Sequence, residues 1–212
     1  MKKFLFVVVF MSLFLVLATS ASALTTVAGY DFEDNAFADY LISSSGVFTS
    51  AGGTLAEVLT DTDVETYAYS WSEGAYVELG FTDNFLVNGS GYDLALFEMG
   101  NIEDFFGVSI SIGGTTNWYQ SFDTGYDTPS WNIDLALIDL DDFGIAPGAS
   151  LSSIVIALDD GFLQSTSRPS LALVGALNSS NTASVPEPGT IVLMGLGLVG
   201  LAGMGRKKLF KK

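Results

Sequence analysis

Between residues 24 and 177 apolar and polar positions alternate at period two. The alternation is interrupted about every ten residues by turn formers: Gly52-Gly53, Asn88-Gly89-Ser90-Gly91, Gly113-Gly114, Pro147-Gly148 and Asp159-Asp160-Gly161. The pattern predicts eleven short strands, at 27–32, 46–49, 54–59, 66–71, 75–81, 92–98, 105–112, 117–122, 133–140, 151–158 and 170–174. Short strands at such even spacing predict an all-β domain over 24–177, an antiparallel β-sandwich or jelly roll. Two stretches, 35–42 and 136–143, also permit a short helix.

The best strands say which face is buried. In Val108-Ser109-Ile110-Ser111-Ile112 the serines are expected in water and Val108, Ile110 and Ile112 in the core, since one face of an antiparallel sheet is wet and the other dry. Leu94-Ala95-Leu96-Phe97 and Ile154-Val155-Ile156-Ala157-Leu158 have no polar position, so they are expected mid-sheet with both faces covered. The aromatic residues, Tyr67, Tyr69, Trp71, Tyr76, Phe81, Trp118, Tyr119 and Trp131 among them, are strand formers in the first place.

The two ends break the pattern. Lys2 and Lys3 precede an unbroken apolar run over 4–17, which is followed by Ala21-Ser22-Ala23. A charged start, an apolar centre and an A-x-A site predict a signal peptide over 1–23, read by Sec export and cut by signal peptidase ahead of Leu24. At the other end a polar stretch, 178–185, is expected to be a linker. Beyond it come Pro186, Glu187, Pro188 and Gly189, an apolar run over 191–205, and the bases Arg206, Lys207, Lys208, Lys211 and Lys212. As a helix the apolar run would be about 22 Å long at ~1.5 Å per residue, short of a hydrocarbon core of about 30 Å. It is expected to span the membrane once, with the bilayer thinned and the basic side chains reaching the interface, and the basic end staying cytoplasmic. Gly195, Gly197 and Gly200 spell G-x-G-x-x-G, but no acidic residue follows them, so they are read as helix-packing glycines and not as a nucleotide fingerprint.

Taken in this order, the Pro-Glu-Pro-Gly segment, the short Gly-rich span and the basic stop over 186–212 resemble the PEP-CTERM sorting signal of Gram-negative exported proteins. The resemblance implies that exosortase, a membrane enzyme, recognises Pro186, Glu187, Pro188 and Gly189. It also implies that Arg206, Lys207 and Lys208 stop the chain in the membrane, and that the final location is the cell surface or extracellular space. More loosely, 74–98, with its apolar strand, Asn-Gly-Ser-Gly turn and second apolar strand, is similar to part of the galactose-binding-like jelly rolls.

Charge narrows the functions open to the domain. Seven of the eight basic residues lie in the two end segments, leaving Arg168 alone against the 24 acidic residues between Asp31 and Glu187, a formal balance of -23 over 24–189. Such a surface repels phosphate backbones, so nucleic acid is excluded as a partner. With no cysteine and no histidine there is no disulfide, no Ser-His-Asp triad, no thiol nucleophile and no nitrogen or sulfur zinc site. The domain is expected not to be an enzyme.

Three kinds of site remain. Asp31, Glu33, Asp159 and Asp160 are candidate calcium ligands, because calcium takes six to eight oxygens and a jelly roll can set its first and last strands side by side. Trp118, Tyr119 and Trp131, in a stretch rich in Gly and Asp, are candidates for stacking on sugar rings. A pair of carboxylates as in a glycosidase is the third, with no pair singled out. The function expected from the resemblance is a structural or adhesive surface component associated with exopolysaccharide; a carbohydrate-binding module is the alternative. Intact-mass analysis should find the mature chain beginning at Leu24. Glu187→Ala should leave export intact and trap a longer, membrane-bound form; maturation of that variant to the wild-type mass would remove Glu187 from recognition.

Overall fold

The computed structural model describes residues 24–33, 35–129, 131–158 and 168–181, and in it the alternating segments pair into antiparallel sheets. One five-stranded sheet runs in the order Asn117–Gln120 (β10), Phe105–Ser109 (β9), Ser153–Ala157 (β14), Tyr76–Gly80 (β6) and Tyr40–Ser45 (β3). A six-stranded sheet runs Phe122–Asp127 (β11), Asn132–Ile138 (β12), Leu94–Gly100 (β8), Leu171–Ala176 (β15), Tyr67–Ser70 (β5) and Phe48–Ala51 (β4). The chain changes sheet between β3 and β4, β5 and β6, β8 and β9, β10 and β11, and β14 and β15. A hairpin of Leu24–Val27 (β1) and Tyr30–Glu33 (β2), and a small sheet of Ser150–Leu151 (β13), Asn84–Val87 (β7) and Ser179–Asn181 (β16), complete the β-structure.

One core joins the two large sheets into an all-β sandwich. Val77, Leu79 and Ile156 come from the first sheet and Leu94, Leu96 and Ile138 from the second, all fully buried. The expectation that Leu94-Ala95-Leu96-Phe97 is covered on both sides is met: all four are buried, with Phe97 packing its ring 5.8 Å from Phe32 of the β1–β2 hairpin. Gly175 of β15 makes that cover close, because a Cβ there would collide with the Phe32 ring.

Local chemistry explains where the strand pattern misled. The expected strand at 54–59 is a helix, Leu55–Thr60. Thr54 Oγ1 accepts the Glu57 N–H while Glu57 Oε2 accepts the Thr54 N–H at 2.8 Å, a capping box, and the buried Val58 and Leu59 follow Leu55 at helical spacing. The expected strand at 27–32 is folded in two by Ala28 and Gly29, whose positive φ values of 46° and 84° make a tight hairpin turn. The 35–42 stretch is not helical: Asn35 turns at a φ of 64°, and the chain then bridges Phe37 to Gly175 and enters β3. Of 136–143 only Leu140–Phe143 coils, as a 3-10 turn capped by Asp139 and closed by left-handed Gly144. β9 ends at Ser109, so Ile112 lies in the following turn, 52% exposed, and not in the core. β6 and β8, the two strands of the 74–98 segment, belong to different sheets, with the unforeseen β7 between them. β16 takes up Ser179–Asn181, inside the stretch expected to be linker.

A buried carboxylate holds one end together. Asp93 Oδ1 accepts the Gly89 N–H at 2.7 Å and the Asn178 side-chain amide at 2.9 Å, and its Oδ2 accepts the Leu140 N–H at 2.8 Å. The turn after β7, the 3-10 turn and the segment leading into β16 thus share one acceptor. Among the described residues no helix is long and apolar enough to cross a membrane, and the apolar runs 4–17 and 191–205 lie outside those residues. In urea denaturation Asp93→Ala should cost roughly 3 kcal/mol by stranding buried N–H donors. Ile112→Ala should stay within about 0.5 kcal/mol, as an exposed position does; equal losses at the two sites would contradict this assignment of the core.

Candidate functional site

Strand β5 reads Tyr67-Ala68-Tyr69-Ser70, followed by Trp71, and it inverts the usual arrangement of a sandwich strand. Ala68 and Ser70 are the buried ones, and the alternation of a strand therefore sends Tyr67, Tyr69 and Trp71 to the outer face. Tyr67 and Tyr69 stack at 6.4 Å between ring centroids, and Trp71 stands edge-on to Tyr69 at the same distance. Thr49 and Ala51 of the edge strand β4 lie opposite Tyr69 and Tyr67, and being small they leave the rings uncovered on that side. Trp71 is 60% exposed and is steadied by the Arg168 guanidinium, 5.6 Å above its ring.

These rings form one wall of an open groove of about 520 Å3. Trp131 lines the same groove at 41% exposure, held by hydrogen bonds from its N–H to Thr128 Oγ1 at 3.1 Å and from the Thr128 N–H to its carbonyl at 2.8 Å. Met99, Gly100, Glu98, Asp104 and Ser170 contribute to the rest of the lining.

Glu98 and Asp134 are the unusual groups beside the groove. They face each other across β8 and β12, with Asp123 of β11 next in the row. Glu98 is buried, its Oε2 accepting the Ser121 hydroxyl at 2.6 Å and its Oε1 the Ser170 N–H at 3.2 Å. Burial, helped by the neighbouring carboxylates of Asp104 and Asp134, pushes its pKa up to about 8. Asp134 is raised to about 6, again first by burial and then by Asp123, Glu103, Asp104 and Asp127. Near neutrality Glu98 is therefore mainly a neutral acid, a donor as well as an acceptor.

The residues expected to bind sugar are divided. Trp118, 40% exposed, sits on the outer face of the five-stranded sheet, away from Trp131. Tyr119, the next residue in β10, turns to the other face, where it packs 6.3 Å from the Phe143 ring and donates to Asp142 at 2.9 Å. Of the candidate calcium ligands, Asp31 is exposed and accepts the Thr26 hydroxyl at 2.6 Å, and Glu33 accepts the Ser179 hydroxyl at 3.2 Å. Asp159 and Asp160 lie outside the described residues, within which no group of three or more acidic side chains is arranged to hold a metal ion.

Residues 184–207 match the model of the PEP-CTERM protein-sorting motif. The chain carries a PEP-CTERM sorting signal. The match takes in Pro186, Glu187, Pro188 and Gly189, the whole apolar run and the first bases, Arg206 and Lys207, with Lys208 just beyond it. A PEP-CTERM signal marks an exported protein processed at its membrane-held C-terminal end, with exosortase as the processing partner. No curated protein and no solved structure matches the chain.

The PEP-CTERM match covers the tail, so the sandwich has to be read from its own residues. Sequence reasoning passed over Tyr67, Tyr69 and Trp71 because aromatics suit strands, and the small residues between them were the missed signal. Glu98 and Asp134 had a signal too, as the single acids in the mainly apolar strands β8 and β12. Both carboxyls bind protons more tightly in the folded chain than in the unfolded one, so stability should be greatest in mild acid and fall as pH rises toward 8. Glu98→Gln keeps the shape without the charge. It should flatten that slope and raise Tm at pH 8 by several degrees, at roughly 2–4 °C per kcal/mol for a chain of this size; an unchanged slope would show that Glu98 is ionised in the fold.

Proposed function

We propose that this protein is an exported, exosortase-processed component of the cell surface or extracellular matrix, and that its sandwich holds polysaccharide as a structural or adhesive element without catalysis. The sorting signal supports the route. The observation that carries the role is the outward row of Tyr67, Tyr69 and Trp71, with Trp131 across the groove. Exposed aromatic surface is unfavourable in water unless something covers it, and flat rings with polar groups beside them suit the apolar faces and hydroxyl edges of sugars. Glu98 and Ser170 are among the polar residues that line the same groove.

The charge balance narrows the ligand. With Arg168 as the single base of the segment 24–189, an anionic polymer meets a repulsive field, and an uncharged glycan does not. We read the sandwich as a jelly roll of the galactose-binding-like kind, a reading supported by the repeated passage of the chain between sheets. On an array of uncharged and acidic polysaccharides the full chain in detergent should be retained by uncharged members. Trp71→Ala and Trp131→Ala should each weaken retention about tenfold, the equivalent of ~1.4 kcal/mol. Retention equal to wild type in both variants, or retention on acidic polymers alone, would contradict the proposal.

A further inference from the structure

The five-stranded sheet carries a second aromatic site on its outer face. Strand register sets Tyr76, Ala157, Gly107 and Trp118 side by side across β6, β14, β9 and β10. Residues directly opposite in neighbouring strands share a face. The core-facing residues of these strands, Val77, Ile156, Phe106 and Val108, are fully buried, so this row belongs to the outside. It consists of two aromatic side chains with the two smallest kinds of residue between them.

That sequence of sizes makes a slot. At about 4.8 Å between strands the backbones of Tyr76 and Trp118 stand ~14 Å apart. The floor between them is kept low by Ala157 and Gly107. A Cβ at Gly107 would lie 3.0 Å from Trp118 Cη2 and 2.9 Å from the Thr116 methyl, so the indole leans over the glycine and only glycine admits it there. The slot has a volume of about 230 Å3, with Ser109, Thr116 and Val155 also in its lining. This is below the range of roughly 300–1,000 Å3 usual for larger ligands, and it suits one ring more than a chain. Glu78, in the next row of the same face, is held by the hydroxyls of Ser43 at 3.0 Å and Ser153 at 3.4 Å.

We propose that this slot is a second saccharide site, which takes a single uncharged sugar ring between Tyr76 and Trp118, and that the sandwich is bivalent. The proposal rests on the reading of the Tyr67–Tyr69–Trp71 groove as a glycan surface. The two sites lie on the outer faces of the two sheets that enclose one core, so a strand of polysaccharide held on each face is held apart by the thickness of the domain. A protein with one site decorates a polymer; with two back to back it cross-links it. The three tryptophans of the chain are thereby all accounted for, Trp71 and Trp131 in the groove and Trp118 in the slot.

The test is the stoichiometry of binding to the full chain in detergent, titrated calorimetrically with cellohexaose and mannohexaose, together with the turbidity it produces in hydroxyethylcellulose and galactomannan. Wild type should bind at two sites on at least one hexasaccharide and cloud the matching polymer. Trp118→Ala should leave one site and a clear solution, with Tm unchanged. Ala157→Leu, which fills the slot from its floor and keeps both rings, should do the same. Trp71→Ala should also leave one site, and the double variant none. A single site lost in Trp71→Ala and untouched by Trp118→Ala and Ala157→Leu would overturn the slot and leave the groove standing. A site lost only in the slot variants would uphold the slot as a saccharide site but overturn the groove and bivalency. No binding of either hexasaccharide would overturn the proposal.

Discussion

The constraint on which the rest of this structure depends is the shortage of positive charge in the sandwich. Twenty-four carboxylates share the segment 24–189 with one arginine, so a carboxylate that is covered on folding has to be satisfied by neutral donors. Asp93 is held by two backbone N–H groups and an amide, Asp39 by the N–H and hydroxyl of Thr82, Glu78 by two serines, and Glu98 by Ser121 and the Ser170 N–H. Where burial outweighs such donors, as at Glu98 and Asp134, the carboxyls hold their protons above the usual carboxylate range. Serine, threonine and backbone amides do the work that lysine and arginine do elsewhere.

The same constraint shapes the surface. A domain of this charge stays soluble and keeps anionic polymers away, so specific contact falls to uncharged chemistry. Its outer faces carry rings: Tyr67, Tyr69, Trp71 and Trp131 on one side, Tyr76 and Trp118 on the other. The buried core is built from aliphatic side chains and phenylalanine, and no tryptophan belongs to it. In a chain stabilised by burial alone, without disulfides, leaving its largest apolar side chains in water is a cost that a ligand would offset.

Much of the fold was legible in the sequence because period-two alternation and turn residues are local signals. The apolar segment 94–97 announced a covered sheet by having no polar position to turn outward, whereas 154–158, equally apolar, lies mid-sheet with Val155 and Ala157 on the outer face. The helix at Leu55–Thr60 was hidden because Leu55 and Leu59 also fit period two in so short a run; Val58, out of phase with them, and the Thr54–Glu57 capping box decide for the helix. The candidate sites were less legible, since they depend on which strands become neighbours. Trp118 and Tyr119 read as a pair, yet adjacent strand residues face opposite ways. Gly107 and Ala157 become the floor of a slot only when β14 lies between β6 and β9. The tail was the most legible part, because a sorting signal is linear and read in order.

The central claim, that the aromatic surfaces on both outer faces bind uncharged glycan, meets its most direct test in the indole N–H resonances of the full chain. The three tryptophans give three signals, resolved by single replacements. On titration with an uncharged hexasaccharide that the chain binds, all three should shift, Trp71 and Trp131 together along one saturation curve and Trp118 along another. Binding that leaves all three signals in place would contradict the account.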